Sequence, residues 1–110
     1  MVQHTKHFLN FCIAGFTYGD GIDVIDELKV GSKLELRREE DNLHDPNAVA
    51  IFYADTWIGY VPSSLNAQLS QLLYFDHDIF ETVITQIDLE QHPERQVRVL
   101  VRFKDNRPKE

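Results

Sequence analysis

Alternation of apolar and polar residues predicts most of the secondary structure of this chain. In the C-terminal segment RQVRVLVRFK every second residue is apolar, namely Val97, Val99, Val101 and Phe103. This is the spacing of residues that share one face of a β-strand. A register slip of one residue would bury Arg98 and Arg102 instead, so we expect the four apolar residues to face the core.

Five further segments have the composition or the alternation of strands. They are HFLNFCIAGF (7–16), KLELRREE (33–40), the segment 47–53, WIGYV (57–61) and IFETVITQIDL (79–89). The letters ADT between the third and the fourth of these predict a tight turn, so the two form a hairpin. The segment IDVIDEL is compatible with a short helix or with an extended connection.

The segment PSSLNAQLSQLLYF predicts the main helix, near residues 63–74. Ser63 or Ser64 is placed to cap it. Its leucines recur at i, i+4, i+7 and i+8, the spacing of one helical face. They are Leu65, Leu69, Leu72 and Leu73.

These elements predict a mainly β fold: a small, six-stranded, antiparallel OB-like or SH3-like barrel with one principal α-helix closing an end. The length of 110 residues suits a single domain. We expect a core over about residues 8–104 with short flexible ends, including the C-terminal segment DNRPKE.

Charge and composition narrow the classes of function. The net charge of −7 argues against a protein that coats nucleic acid non-specifically, since such binding depends on Lys and Arg. The single cysteine, Cys12, cannot form an internal disulfide. The N-terminus has no apolar stretch typical of a signal peptide or membrane span, so we expect a cytoplasmic protein. No spacing of residues predicts a metal site, a cofactor or a nucleophilic centre.

The most unusual stretch is EEDNLHDPNAVAIF, residues 39–52, which places many hydrogen-bonding side chains before a buried strand. One interpretation is structural, because Asn42, Asp45 and Asn47 can each bond nearby backbone amides and form the turn. The other is a binding pocket. A third reading, in which the carboxylates of this stretch hold Mg²⁺ for phosphodiester cleavage, matches no established spacing.

Three other segments have both a structural and a functional reading. In GFTYGDG, Gly19 and Gly21 allow close backbone approach to a ligand, and Tyr18 either packs over the barrel or contacts a ligand. In IGYVPSS, free amides near Ser63 and Ser64 form an anion site or simply begin a helix. Basic residues on the outer face of the last strand either meet a phosphate backbone or are solvated; they are Arg98, Arg102 and Lys104.

Three segments together resemble the HIRAN domain over roughly residues 10–104: IAGFTYGDG, LELRREEDNLHDPNAVAIF and WIGYVPSSL. The N-x-x-D-P-N-A-V element followed by IGYVP is the most specific part. The resemblance implies an OB-like barrel. It also implies a module that binds the 3′ end of single-stranded DNA, as in a DNA-remodelling translocase, with an acidic acceptor for the terminal hydroxyl, stacking aromatics and basic residues at the phosphates.

Carried onto this chain, the resemblance assigns the hydroxyl acceptor to Asp45, with Asn42 beside it. It assigns stacking to Tyr18 and His44, and a polar ring lining the pocket to Tyr60. Two basic positions of the characterised member are replaced here.

The replacements are Thr17 before the stacking aromatic and Ser63 at the start of the helix. The predicted function is therefore a non-enzymatic module that recognises 3′-hydroxyl ends, without a cofactor. Other expected partners are proteins of DNA repair in a bacterial cell. A protein-interaction module of the same fold, and less favourably a metal-dependent nuclease, are the alternatives.

Overall fold

A computed structural model describes residues 6–16, 20–76 and 78–104, and within them six antiparallel strands and two α-helices. A 3₁₀ turn, Pro93–Arg95, lies in the connection between the last two strands. Of the predicted short flexible ends, about residues 1–7 and 105–110, Lys6 and His7 belong to a strand, and residues 1–5 and 105–110 lie outside the described residues. The elements are β1 (Lys6–Cys12), α1 (Gly21–Val24), β2 (Lys33–Arg38), β3 (Val49–Tyr53), β4 (Thr56–Tyr60), α2 (Asn66–Phe75), β5 (Phe80–Ile87) and β6 (Val97–Phe103).

The strands form one sheet in the order β1-β6-β5-β2-β3-β4, curled into a half-barrel of the OB-like kind. The two outer strands approach each other where the chain leaves β1. There Ala14 and Tyr60 exchange two backbone hydrogen bonds of 2.9 Å each. The predicted mainly β, antiparallel architecture is therefore confirmed, and so is the β3–β4 hairpin.

Gly59 makes this contact between the outer strands possible. Its φ of +152° is unfavourable for any residue with a side chain. A Cβ at this position would lie 2.3 Å from Ile13 Cγ2 and 2.7 Å from the carbonyl oxygen of Ala14. The absence of a side chain thus lets β4 lie directly against the segment that follows β1.

The predicted register of β6 is correct. Val97, Val99 and Val101 are buried, Phe103 packs partly buried against the same core, and Arg98 is exposed. Burying an aliphatic side chain of this size contributes about 1.5–3 kcal/mol. The opposite register would lose that free energy and bury arginine side chains.

Helix α2 begins three residues later than predicted, at Asn66 rather than near 63. Residues 63–65 form a turn instead, in which the Leu65 N–H donates to the Pro62 carbonyl over 2.9 Å. The prediction that Ser63 or Ser64 caps the helix is wrong, because Leu65 is the N-cap residue and no side chain caps α2.

The predicted apolar face of α2 is confirmed. Leu69 and Leu73 are buried in the core, and Leu65 and Leu72 pack against it. The helix therefore depends on tertiary packing of one face.

Several strands, β1 and β3 among them, are shorter than their sequence patterns suggest. β1 ends at Cys12 rather than at residue 16; beyond it the Ile13 N–H still donates to the Val97 carbonyl, and Ala14 pairs with Tyr60. β3 begins at Val49 rather than at residue 47, because the Ala48 N–H donates to the Asp45 carbonyl over 3.0 Å and so belongs to the preceding turn. None of the helices in the described parts of the chain has the length and apolarity needed to span a bilayer.

Candidate nucleic-acid interface

The polar loop between β2 and β3 is organised by Asn42. Its Oδ1 accepts hydrogen bonds from the backbone N–H of His44, at 2.9 Å, and of Asp45, at 3.0 Å. Its own N–H donates to the Glu39 carbonyl over 3.1 Å. The side chain thus replaces missing backbone partners, so part of this polar cluster has the structural role that its sequence allows.

Glu39 connects this loop to the end of β4. Its Oε1 accepts from Asn42 Nδ2 at 3.0 Å and from the Tyr60 hydroxyl at 2.8 Å. Tyr60 lies 21 residues further along the chain. The carboxylate therefore holds the loop and the strand end together at the rim of the half-barrel.

Tyr60 is held as a neutral hydrogen-bond donor. Burial raises its pKa to about 12, and the hydrogen bond to Glu39 and the negative charge of that residue act in the same direction. The ring also packs edge-on against Trp57, with ring centroids 5.4 Å apart. Trp57 is in turn fixed by its indole N–H, which donates to the Gly59 carbonyl over 2.9 Å.

Asp45 joins the loop to the start of α2. Its Oδ1 accepts from the backbone N–H of Asn47 at 2.9 Å, and its Oδ2 accepts from Asn66 Nδ2 at 2.8 Å. An ionised carboxylate offers about four lone-pair sites, and these two bonds use two of them. Asp45 is half-buried, so its carboxylate is held in place and retains capacity to accept from a ligand.

The structure brings together three of the predicted site residues, Asn42, Asp45 and Tyr60, in one hydrogen-bonded network. The backbone of His44 belongs to the network and its side chain is exposed. Ser63 is exposed in the turn before α2.

The remaining candidates stand apart from this network. Thr17, Tyr18 and Gly19 lie outside the described residues. Gly21 is buried, and a Cβ there would lie 2.6 Å from the ring of Phe16, so its small size serves core packing.

Three residues of this network were not predicted from the sequence to belong to a DNA-end site. Glu39 stood among other acidic residues of the loop, and no local pattern distinguished it. Asn66 is only 4% exposed, whereas its sequence position resembled the polar surface of a helix. Trp57 had the composition of an ordinary strand residue. Their roles depend on contacts between elements distant in sequence.

The basic outer face of β6 is largely paired within the protein. Arg102 forms an ion pair with Glu81, and Lys104 with Asp78. Arg98 donates to Asn10 Oδ1 over 2.9 Å. These cations contribute less free positive charge than their sequence alternation suggests.

No group of three or more His, Cys, Asp or Glu side chains within residues 6–16, 20–76 and 78–104 is arranged to hold a metal ion. The four carboxylates considered for a Mg²⁺ site therefore do not form such a group; they are Glu39, Glu40, Asp41 and Asp45.

Comparison with known proteins gives a family and a fold. The model of the HIRAN domain family matches residues 6–104. A crystal structure of a protein from Lactobacillus plantarum superimposes with a TM-score of 0.76 at 20% identity, covering 90% of this chain and 94% of that one. The crystal structure of the HIRAN domain of human HLTF superimposes with a TM-score of 0.70 at 17% identity, covering 90% and 78%. A search of curated proteins gave no significant match.

Proposed function

Because the chain belongs to the HIRAN domain family, which is known for binding DNA, we propose that it is a non-enzymatic module that binds the 3′-hydroxyl end of single-stranded DNA. The observation that carries this proposal is the position of Asp45. Its carboxylate is held from both sides, by the loop and by Asn66, and is still partly exposed. A fixed, partly desolvated acceptor suits a ligand that offers a hydroxyl donor.

The charge of Asp45 supplies selectivity between types of DNA end. A 3′-hydroxyl donates to the carboxylate in a charge-assisted bond of about 1.5–3 kcal/mol. A 3′-phosphate brings negative charge to the same carboxylate and is repelled. The site therefore favours the hydroxyl end.

Aromatic side chains provide the surfaces on which bases stack. Exposed His44 is adjacent to Asp45 in the loop. We assign to Tyr18 a second stacking surface, on the basis of the family motif. Stacking of a base on an aromatic side chain contributes about 1–3 kcal/mol and tolerates any sequence.

Phosphate contacts are the weaker part of this interface. Thr17 and Ser63 occupy the two positions to which the family motif assigns basic residues, and the net charge is −7. Fewer cations release fewer counterions on binding, so the affinity for single-stranded DNA is moderate and is best measured at low salt.

The proposal is tested by fluorescence anisotropy with two labelled oligonucleotides that differ only in the 3′ end, hydroxyl or phosphate. The wild-type protein is expected to bind the hydroxyl end at least about tenfold more tightly, about 1.4 kcal/mol. Asp45→Asn keeps the size of the side chain and removes its charge, so the difference between the two ends should narrow to about threefold or less.

Asp41→Asn is the matched control. It makes the same chemical change in the same loop, at an exposed residue outside the hydrogen-bonded network. This variant should keep the wild-type preference. Equal binding of both ends by the wild-type protein, or no binding at low salt, would contradict the proposal, and loss of preference in the control would show that general charge rather than Asp45 sets it. The nuclease alternative is tested by incubating the oligonucleotides with the protein and Mg²⁺. Electrophoresis should then show that the oligonucleotides are intact.

A further inference from the structure

A second surface lies along β2 and reaches Glu40 at the start of the polar loop. Two open cavities, of about 350 and 400 Å³, share Glu35, Leu36 and Leu73 in their walls. Together they extend from Lys33 and Lys104 at one end to Arg38, Glu40 and Tyr74 at the other. We call this continuous feature the β2 groove.

One wall of the β2 groove is an unpaired strand edge. β2 pairs with β5 at only two positions, Lys33 with Val83 and Leu34 with Thr82. The Glu39 N–H donates to the carbonyl of Ala48, just before β3, so the backbone groups of Glu39 are directed toward β3. Hydrogen-bonding direction alternates along a strand, so the next residues directed toward β5 are Leu36 and Arg38. Neither is paired with β5, so both present backbone N–H and C=O groups to the groove.

The opposite wall is the diverging start of β5. The Lys104 N–H donates to the Ile79 carbonyl, so Ile79 is directed toward β6. By the same alternation Phe80 directs its backbone groups toward the β2 groove. The groove thus has polar backbone groups along both sides, and these match a third strand placed between them.

The floor and the rim of the β2 groove are apolar and aromatic. Leu36, Leu73 and Phe80 line it from the core. Tyr74, at its rim, and the adjacent Phe75 are 64% and 77% exposed and pack edge-to-face against each other. Exposed neighbouring aromatics are enriched in protein–protein interfaces.

One cation at an end of the β2 groove, Lys33, favours an acidic group. Lys104 is paired with Asp78 and Arg102 with Glu81. Lys33 is exposed and forms no ion pair with any residue that the structure describes. Glu35, which also lines this end, is paired with Arg37, so Lys33 is the cation left to pair with an acidic group of a ligand.

At the other end of the groove the arginines are paired. Arg38 is paired with Glu40, and Arg37 with Glu35 and Asp55. A nucleic acid would require cations along the whole groove, whereas a strand edge over an apolar floor matches a polypeptide backbone. We infer that the β2 groove binds an extended segment of a partner protein by strand addition, with apolar side chains at alternate positions and an acidic residue at the Lys33 end.

The test uses the full chain and a phage-displayed library of random twelve-residue peptides. Selected peptides should contain alternating apolar residues and an acidic residue near one end. A synthetic peptide of the selected sequence should change the amide NMR signals of Leu36, Arg38 and Phe80 and slow the hydrogen exchange of those amides that gain a bond. The signals of Asn42, His44 and Asp45, which do not line the groove, should be unaffected.

Three variants separate the β2 groove from general surface effects. The double variant Tyr74→Ser, Phe75→Ser changes exposed residues, so the fold should be retained while peptide affinity falls at least about tenfold. Lys33→Glu should remove the preference for acidic peptides over amidated ones. The matched control, Leu89→Ser, removes a 53% exposed apolar residue between β5 and β6 and should change nothing.

Several results would overturn the inference. The first is a selection that enriches no more peptide than an unrelated protein does. The second is a set of peptide-induced NMR changes confined to Asn42, His44 and Asp45. The third is an equal loss of affinity in the control and in the Tyr74–Phe75 variant. NMR changes in the groove amides caused by an oligonucleotide would also overturn it, by making nucleic acid the occupant. Because the DNA-end assay reads a different surface, failure of either proposal leaves the other intact.

Discussion

At the scale of single residues, the rim of the half-barrel is held by a few polar side chains. Glu39 accepts from Asn42 and Tyr60, and Asp45 accepts from Asn47 and Asn66. Because the partners come from β4, α2 and the loop, each carboxylate acts as a link between elements. The same contacts that satisfy buried polar groups also set the position of the proposed hydroxyl acceptor.

Ionisation of Tyr60 should weaken the fold at high pH. The pKa of its hydroxyl is raised from 10.0 to about 12 in the folded state. Between these values the unfolded chain loses the proton while the folded protein retains it, so the stability present below pH 10 is lost progressively up to about pH 12. Urea unfolding across this range measures the loss.

Tyr60→Phe is the control for that pH dependence. It should be less stable than the wild-type protein at pH 8, because Glu39 loses a donor, and its stability should fall less between pH 10 and 12. An absorbance titration of tyrosinate should also lose its highest-pH component. Identical titrations of the two proteins would contradict the assignment.

Gly59 is expected to tolerate no side chain. Gly59→Ala places a Cβ against Ile13 and the backbone of Ala14, at a φ of +152°. We expect a loss of about 3 kcal/mol or more in the free energy of unfolding, measured by urea denaturation. Gly31→Ala is the comparison, because Gly31 has a φ of +93° but open space around it, so it should lose only about 1–2 kcal/mol. Similar losses in both would mean that close packing at Gly59 is unimportant.

At the scale of elements, α2 performs two functions. Its apolar face completes the core, and its first residue, Asn66, positions Asp45. No side chain caps its N-terminus, and ten residues are too few for a stable isolated helix. Its position, and with it that of Asp45, therefore depends on the leucines that anchor it to the sheet.

Leu69→Ala should measure this anchoring. Leu69 is fully buried, and replacing such a leucine by alanine removes apolar contacts and leaves a cavity, at about 2–5 kcal/mol. Gln71→Ala changes an exposed residue of the same helix and should alter stability by less than about 0.5 kcal/mol. Thermal and urea unfolding of both variants test this, and a loss below 1 kcal/mol for Leu69→Ala would contradict the packing described for α2.

At the scale of the whole molecule, net charge limits the proposed DNA affinity. Acidic residues outnumber basic ones, 18 to 11. The basic residues of β6 are engaged with Glu81, Asp78 and Asn10. The proposed recognition of an end by Asp45 would therefore be accompanied by weak attraction for the rest of the strand.

Restoring a cation should strengthen binding without changing selectivity for the end. Ser63→Lys adds a positive charge at an exposed position before α2. One added phosphate contact of about 1 kcal/mol corresponds to about fivefold tighter binding of both oligonucleotides. The logarithm of the binding constant should also fall more steeply with the logarithm of the salt concentration, by about 0.7 in slope. Gln86→Lys makes the same change in net charge at an exposed residue of β5 and should increase the affinity for DNA by less. Equal gains in the two variants would indicate general attraction rather than a contact at Ser63.

Particular residues show how far sequence analysis reached. The alternation of Val97, Val99 and Val101 predicted the register of β6, and the leucine spacing predicted the inner face of α2; both are confirmed. The expected capping by Ser63 or Ser64 is wrong, because a turn closed by Leu65 and Pro62 delays the start of the helix. Asn42, Asp45 and Tyr60 were chosen from the family motif, and the structure joins them through Glu39, which that motif did not identify.

The sequence by itself determined the type and order of the strands, the inward faces and the family. These features depend on short-range periodicity and on motifs that are local in the chain. Only the tertiary structure decided which polar groups meet, as in the pairs Tyr60–Glu39 and Asn66–Asp45, each 21 residues apart. It also decided where β2 and β5 separate to open a groove. The physical reason is that a hydrogen bond between distant elements depends on how the sheet curls and where the helix packs, and neither leaves a periodic signal in the sequence.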